Sequence, residues 1–409
     1  MSWDSWQEIL DTVRHNKLRT ILTALSVAWG IFMLVILLAA GTGLRNAALY
    51  DFRDDAINSI FIRPRKTSLP FLGRGPGRDI RLTNADFSLL KREVPEIDHI
   101  SGRFHLWGEF AVSYQKRSAR FDIRGVHPDH QFLEKTQMVL GRFVNDEDVA
   151  DRKKIAVIGA DVAKFLFDAA NPIGKFINVR GAYYQVVGVY TRPGQQGEIA
   201  TIFLPISTAQ LVYSGGERLH ALSFTVNTTE LGASQRVEQT VKTLLREKHA
   251  ISPEDDRALA VTNNLETYRK IADIFDWLQL FVWLVGIGTL FAGLVGVSNI
   301  MLISVKERTK EIGVRKALGA APSGIVAMIM KEALLITSLS GYLGLVCAVG
   351  LVELVNRTLP DNKYLREPEV NLQVALIATA IVILAGALAG FFPARNAAKI
   401  NPIVALRDG

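Results

Sequence analysis

The chain has little of what a catalytic or disulfide-built protein needs. Its one cysteine, Cys347, lies in an apolar run, so no intrachain disulfide can form, and cysteine usage leaves the compartment of the remaining chain open. The seven histidines show no H-E-x-x-H or similar ligand spacing, and neither a G-x-S-x-G nor a paired-cysteine motif occurs. No G-x-x-x-x-G-K-[ST] phosphate loop is present: Asn171-Pro172-Ile173-Gly174-Lys175 is followed by Phe176, where Ser or Thr would hold magnesium. Gly73, Gly75 and Gly77 flank Pro76 in a basic segment that reads as a flexible exposed loop. No catalytic, cofactor-binding or metal-binding residue is therefore expected.

Charge is the next absence, and it is local. Four runs hold no Asp, Glu, Lys, Arg or His: Thr20 to Leu44, Leu278 to Val305, Ala333 to Val352 and Leu372 to Ala394. Each matches the roughly 20 residues that cross a bilayer core. Ion carriers and polar pores place ionisable groups in the membrane, so four uncharged spans suit a bundle that transmits motion. Gly386 with Gly390, and Gly293 with Gly296, are small-residue pairs that permit close helix packing. No cleavable signal peptide is evident, so the first run is expected to stay as signal and anchor.

The net charge of +7 comes from basic residues beside these runs, where topology and anionic lipid account for it without nucleic acid. Arg14, Lys17 and Arg19 precede the first span; Lys306, Arg308, Lys310, Arg315 and Lys316 follow the second; Arg395, Lys399 and Arg407 follow the fourth. In the connection after the third, Arg357, Lys363 and Arg366 are offset by Asp361, Glu367 and Glu369. Lys and Arg are retained inside, so both termini and the second connection are expected in the cytoplasm and the long segment outside. Trp3, Trp6, Leu10 and Val13 recur at helical spacing, predicting an amphipathic interfacial helix over residues 1–19.

The long segment has the mixed composition of a globular domain. Strand patterns fall on Ser59 to Arg63, Glu109 to Tyr114, Ala119 to Val126, Phe176 to Val179, Tyr184 to Tyr190, Leu219 to Val226 and Ala258 to Thr262. Helices are expected from Thr83, within a strand-helix unit from Lys154 to Phe167, and over Ala233 to Lys248. The expected fold is membrane α-helical, four transmembrane helices, with an α+β extracytoplasmic domain of two subdomains inserted between helices 1 and 2. Boundaries follow as spans at 20–44, 277–305, 323–353 and 370–394, an outside domain at 45–276 with a subdomain inserted at about 134–200, a cytoplasmic helix at 306–322, a short external loop at 354–369 and a tail at 395–409.

The most informative stretch is that cytoplasmic connection. Glu307 and Glu311 stand four apart with Lys310 and Arg315 nearby, a pattern of exposed ion pairs on a short helix. Gly319 is a helix stop, and Pro322 opens the next helix.

Glu307-Arg308-Thr309, Glu311-Ile312-Gly313, Arg315-Lys316-Ala317 and Gly319-Ala320 resemble the signature of the FtsX-like permease family, the membrane subunits of MacB-type ABC transporters. Pro393-Ala394-Arg395, Ala397-Ala398, Asn401-Pro402-Ile403 and Ala405-Leu406-Arg407 are similar to its closing motif, with Val404 where an acidic residue is common. Ile155-Ala156-Val157-Ile158-Gly159, with the Asn171 turn, resembles the start of the middle periplasmic subdomain.

The resemblance implies a non-enzymatic permease in the bacterial inner membrane, paired with a second copy or paralogue. Its ATPase-coupling residues would be Glu307, Arg308, Thr309, Glu311, Ile312, Gly313, Arg315, Lys316, Ala317 and Gly319. No cofactor would bind the chain directly; ATP would be hydrolysed by a cytoplasmic ABC ATPase. Export of antibiotics, peptides or similar compounds, with a periplasmic adaptor and outer-membrane channel, is the leading expectation. A module controlling a cell-wall hydrolase or sensor kinase, or a lipoprotein-releasing permease, is the alternative.

Overall fold

A computed structural model describes residues 17–53, 55–106, 110–192, 199–358, 365–370 and 372–401. The expected interfacial helix before residue 17 and the closing motif beyond 401 lie outside the described residues. Two compact units form, residues 49–271 and the chain on either side of them.

The elements run α1 (Lys17–Ala48), β1 (Ser59–Pro64), β2 (Leu82–Thr83), α2 (Asn84–Glu93), β3 (Ile97–His105), β4 (Phe110–Tyr114) and β5 (Arg117–Val126). Next come α3 (His130–Leu133), β6 (Gln137–Gly141), α4 (Asp146–Ala150), β7 (Ile155–Gly159), α5 (Ala160–Phe167), β8 (Phe176–Val179) and β9 (Ala182–Thr191). Then follow β10 (Thr201–Pro205), α6 (Ile206–Val212), β11 (Arg218–Leu219), β12 (Ala221–Val226), α7 (Leu231–His249) and β13 (Leu259–Asn263). The chain closes with α8 (Asn264–Glu307), α9 (Thr309–Ala317), α10 (Pro322–Thr358) and α11 (Leu372–Ala398).

In the unit of residues 49–271, one sheet serves two purposes. From β5 outward, β3, β12, β1 and β13 pair antiparallel. Every residue of β12 is buried, as expected of a central strand. Leu90 of α2, Val94 just past its end, and Val237, Val241 and Leu245 of α7 bury their apolar side chains in the same core. On the other side of β5, strands β4, β8, β9, β7 and β10 return to β5, closing a six-strand ring. Ring closure leaves those strands without open edges. It also recruits β4, β5 and β10 to join residues 134–200, a grouping that strand patterns along the chain do not carry.

Local chemistry explains the ends of these elements. Thr83 and Asp86 form a reciprocal capping box at α2. Burial pushes the Asp86 carboxyl up, but His249, Lys248 and the Thr83 backbone together pull it down to about 2. The glycine segment is exposed, as expected, and its ends are tied down: Asp255 accepts from the Ser68 and Leu69 amides and the Ser68 hydroxyl, and the Arg78 guanidinium donates to the His249 and Ala250 carbonyls. The Asn171 segment is a turn in which its side chain accepts from the Ile173 amide at 3.0 Å.

A buried charge cluster ties the ring to the flanking strands. Glu134 pairs with Arg103 of β3 and Arg192 just after β9, with Arg124 at 3.6 Å and His130 at 3.3 Å. Burial works against its ionised form, yet His130 and the arginines hold the Glu134 carboxyl well below the usual range. Burial pushes the His130 imidazole down.

The second unit holds four helices long and apolar enough to cross a membrane, α1, α8, α10 and α11. Their close approaches fall at small residues. A Cβ on Gly344 would lie 2.3 Å from the Ala28 carbonyl oxygen of α1, and one on Gly386 would lie 2.0 Å from Thr337 Oγ1 of α10. Gly390 likewise abuts Ala333, so the expected Gly386–Gly390 pair is a packing seam between α10 and α11. The second pair divides: Gly293 approaches α1 at Ser26, whereas Gly296 faces open space.

Candidate functional site: the short helix between two spans

The second connection folds as a break, a nine-residue helix and a turn. Glu307 ends α8, and Arg308 leaves the helical path at φ −99° and ψ 15°. The Thr309 hydroxyl donates back to the Lys306 carbonyl at 2.7 Å, which holds the corner. At the far end Gly319 adopts φ +95°, a left-handed conformation that a side chain would strain. The Gly319 amide donates to the Lys316 carbonyl and the Ala320 amide to that of Arg315, a Schellman closure before Pro322 starts α10. The expected helix over 306–322 is thus α9 alone, with Glu307 on the preceding helix and Gly319 in the turn.

One side of α9 is anchored. Ile312 and Gly313 are buried, and Ile312 packs in a cluster with Val297, Met301, Val305, Ile325 and Ile329 of the neighbouring helices. Arg315 donates to Glu311 at 2.9 Å and reaches the Met328 sulfur at 3.0 Å. Lys316 Nζ donates to the carbonyls of Ala398 and Ile400 at 2.8 and 2.7 Å. Those oxygens lie at the C-terminal end of α11, where a helix leaves its last carbonyls without internal partners and favours a cation.

The Arg308 guanidinium is shared. It lies 3.3 Å from Glu311 on α9 and 3.4 Å from Glu332 on α10. Glu332 is 6% exposed. It escapes a search for uncharged spans because α10 begins at Pro322, well before the apolar run that starts at Ala333. An acid directly at the edge of such a run is the signal that points to it.

The other side of α9 is open. Val314 is 41% exposed and Leu318, just past its end, is 83% exposed, four residues apart on one face, with Lys310, Glu311 and Ala317 also at the surface. Of the ten expected residues, Arg308, Glu311 and Arg315 form one polar network, Lys316 is held separately at the end of α11, and Thr309, Ile312, Gly313 and Gly319 shape the helix that carries them. Glu307 and Ala317 lie on the surface beside it. The exposed apolar pair Val314 and Leu318 is not evident from charge pattern. The helix is thus clamped on one face and carries Val314 and Leu318 among charged residues on the other.

In chain order, one membrane-capable helix precedes the α+β unit and three follow it, with this clamped helix between the second and third. Residues 20–244 match the MacB-like periplasmic core domain and residues 283–402 the FtsX-like permease C-terminal region. The chain belongs to the MacB-like, FtsX-type permease family. It is 28% identical over 97% of its length to the macrolide export ATP-binding/permease protein MacB of Bdellovibrio bacteriovorus, and 30% identical over 99% to that of Vibrio parahaemolyticus. It spans 60% and 61% of those two proteins. Among solved structures, the periplasmic region of MacB from Actinobacillus actinomycetemcomitans matches 54% of this chain and 96% of its own, at 18% identity and a TM-score of 0.44. The extracellular domain of the noncanonic ABC-type transporter YknZ from Gram-positive bacteria matches 50% and 100%, at 18% identity and a TM-score of 0.42.

Proposed function

We propose that this chain is the transmembrane subunit through which an ABC ATPase drives movement of a periplasmic domain, for export of antibiotics, peptides or similar compounds. The carrying observation is α9, anchored by Ile312, Arg308 and Lys316 to three neighbouring helices and presenting Val314 and Leu318 outward. A push on that face reaches α8, α10 and α11 together, because packed helices move as units. In this reading the chain lies in a bacterial inner membrane, with residues 45–276 in the periplasm and both termini in the cytoplasm, as the basic flanks favour. A second permease copy, a periplasmic adaptor and an outer-membrane channel complete the assembly. ATP binds the partner ATPase, and this chain holds no cofactor itself.

The test is co-purification of the intact chain in detergent with candidate soluble ABC ATPases, reading ATP hydrolysis with and without the permease. A stable complex whose hydrolysis changes, and loses that change with Glu311→Ala and Arg315→Ala, supports the reading. A chain that alters no ATPase and recruits none sinks it.

A further inference from the structure

At the end of the bundle opposite α9, a cavity of about 560 Å3 lies between α1, α8 and the approach to α11. Leu38, Val282 and Val374 give it apolar walls, and Thr42, Arg45, Gln279 and Glu369 a polar rim. Its size falls in the roughly 300–1,000 Å3 range of small-molecule sites, which are apolar with few convergent polar groups. Gly41 also lines it, and a Cβ built there meets nothing within 4 Å, so the space beside α1 is open.

The rim's charge sets the class of ligand. Arg45 is engaged by Asp276 at 3.1 Å, and the two charges cancel. Glu369 is exposed and, among the described residues, no hydrogen bond or ion pair engages it. The rim therefore presents a carboxylate beside a cavity of mixed lining, apolar at Leu38, Val282 and Val374 and polar at Thr42, Arg45 and Gln279.

We propose that this cavity binds a cationic amphiphile, its apolar body between Leu38, Val282 and Val374 and its positive group at Glu369. The inference rests on the permease reading and deepens it by naming a substrate class: a compound that partitions into the membrane and enters beside α1. An anionic amphiphile of the same shape is disfavoured by the same carboxylate.

The experiment uses the full chain in phosphatidylcholine nanodiscs, with rhodamine 6G as a cationic probe and fluorescein as an anionic one on the same ring system, read by fluorescence polarisation against empty nanodiscs. Saturable rhodamine binding with weak fluorescein binding is expected. Gly41→Leu fills the open space and lowers rhodamine affinity by about tenfold or more, whereas Gly350→Leu, at a glycine equally free of neighbours, binds as the parent does. Glu369→Gln lowers it about fivefold, the weight of one exposed charge pair, and narrows the preference over fluorescein. Equal binding of both dyes, or rhodamine binding untouched by Gly41→Leu, overturns the proposal. Since no ATPase is present, failure here is separate from failure of the coupling reading.

Discussion

Arg308 and Glu332 meet at 3.4 Å, joining the break between α8 and α9 to a buried acid on α10. Glu332→Ala removes the buried one of the two carboxylate partners of Arg308 and leaves the guanidinium with Glu311, at a cost of about 1–3 kcal/mol. The detergent-solubilised chain should melt measurably lower, with Glu332→Gln intermediate. An unchanged melt for both would show that the pair contributes nothing to the clamp.

Lys316 secures the other end. Lys316→Met keeps the aliphatic stem and loses the donors to the Ala398 and Ile400 carbonyls. Hydrogen exchange of α9 amides should rise about tenfold, as loss of a charged hydrogen bond worth roughly 1.4 kcal/mol implies, while α1 is unaffected. Equal protection in the variant would contradict the role of this lysine in fixing α9.

Leu318 is open to solvent, so Leu318→Asp should change stability by no more than about 0.5 kcal/mol. It should nevertheless abolish binding of the ATPase in pull-downs from detergent. Retained binding would move the docking face elsewhere on the chain.

Glu134 is shared by Arg103, Arg192, Arg124 and His130 in the buried cluster, and Arg124 also pairs with Asp122 at 2.6 Å. Glu134→Ala takes this buried partner from Arg103 and Arg192 and should destabilise residues 49–271 by about 3–5 kcal/mol. Thermal unfolding followed by tryptophan-independent circular dichroism would read it. A shift under about 1 kcal/mol, the scale of a surface pair, would show the cluster relaxes into water.

Acid should act in two stages. Burial pushes the His127 and His220 imidazoles down to about 4, so the unfolded chain takes up their protons near 6.5 and the folded chain does not. Stability therefore falls as pH drops from about 6.5 to 4. Asp86 and Asp255 work from the other side. Burial raises each carboxyl, but hydrogen bonds from His249, Lys248 and Thr83 in one case and chiefly from Ser68 and Leu69 in the other bring both to about 2. Their contribution is full above the unfolded carboxylate value and is lost as pH falls from about 4 to 2. Melting curves at pH 7, 5 and 3 would separate the stages, and replacing His127 and His220 with Gln should shrink the first, leaving the part due to His105 and His130, which burial also pushes down. A flat profile down to pH 4 in the parent would refute the histidine assignment.

Elements with strong patterns are readable in advance. The strand over Phe176 to Val179 falls on β8, and the helix over Ala233 to Lys248 lies within α7, because alternation and an amphipathic stripe are local properties. The strand β3 is harder: Ile97–His105 mixes Asp, His, Ser, Gly and Arg with few apolar residues, and it is a strand because β12 and β5 pair with it. The contact of Glu332 is equally hidden: its place at the edge of an apolar run is visible in the chain, but its partner Arg308 arrives through the fold of the connection.

The sequence by itself determined the four spans, the inserted α+β domain and the short charged helix, since hydropathy runs, caps and turn residues act over a few residues of chain. Only the tertiary structure decided the closed strand ring, the sharing of Arg308 between Glu311 and Glu332, the seat of Lys316 on the end of α11 and the cavity beside Gly41. Each of these brings in a group distant in the chain, as Glu332 is from Arg308, and such pairings depend on distances that only the packed fold sets.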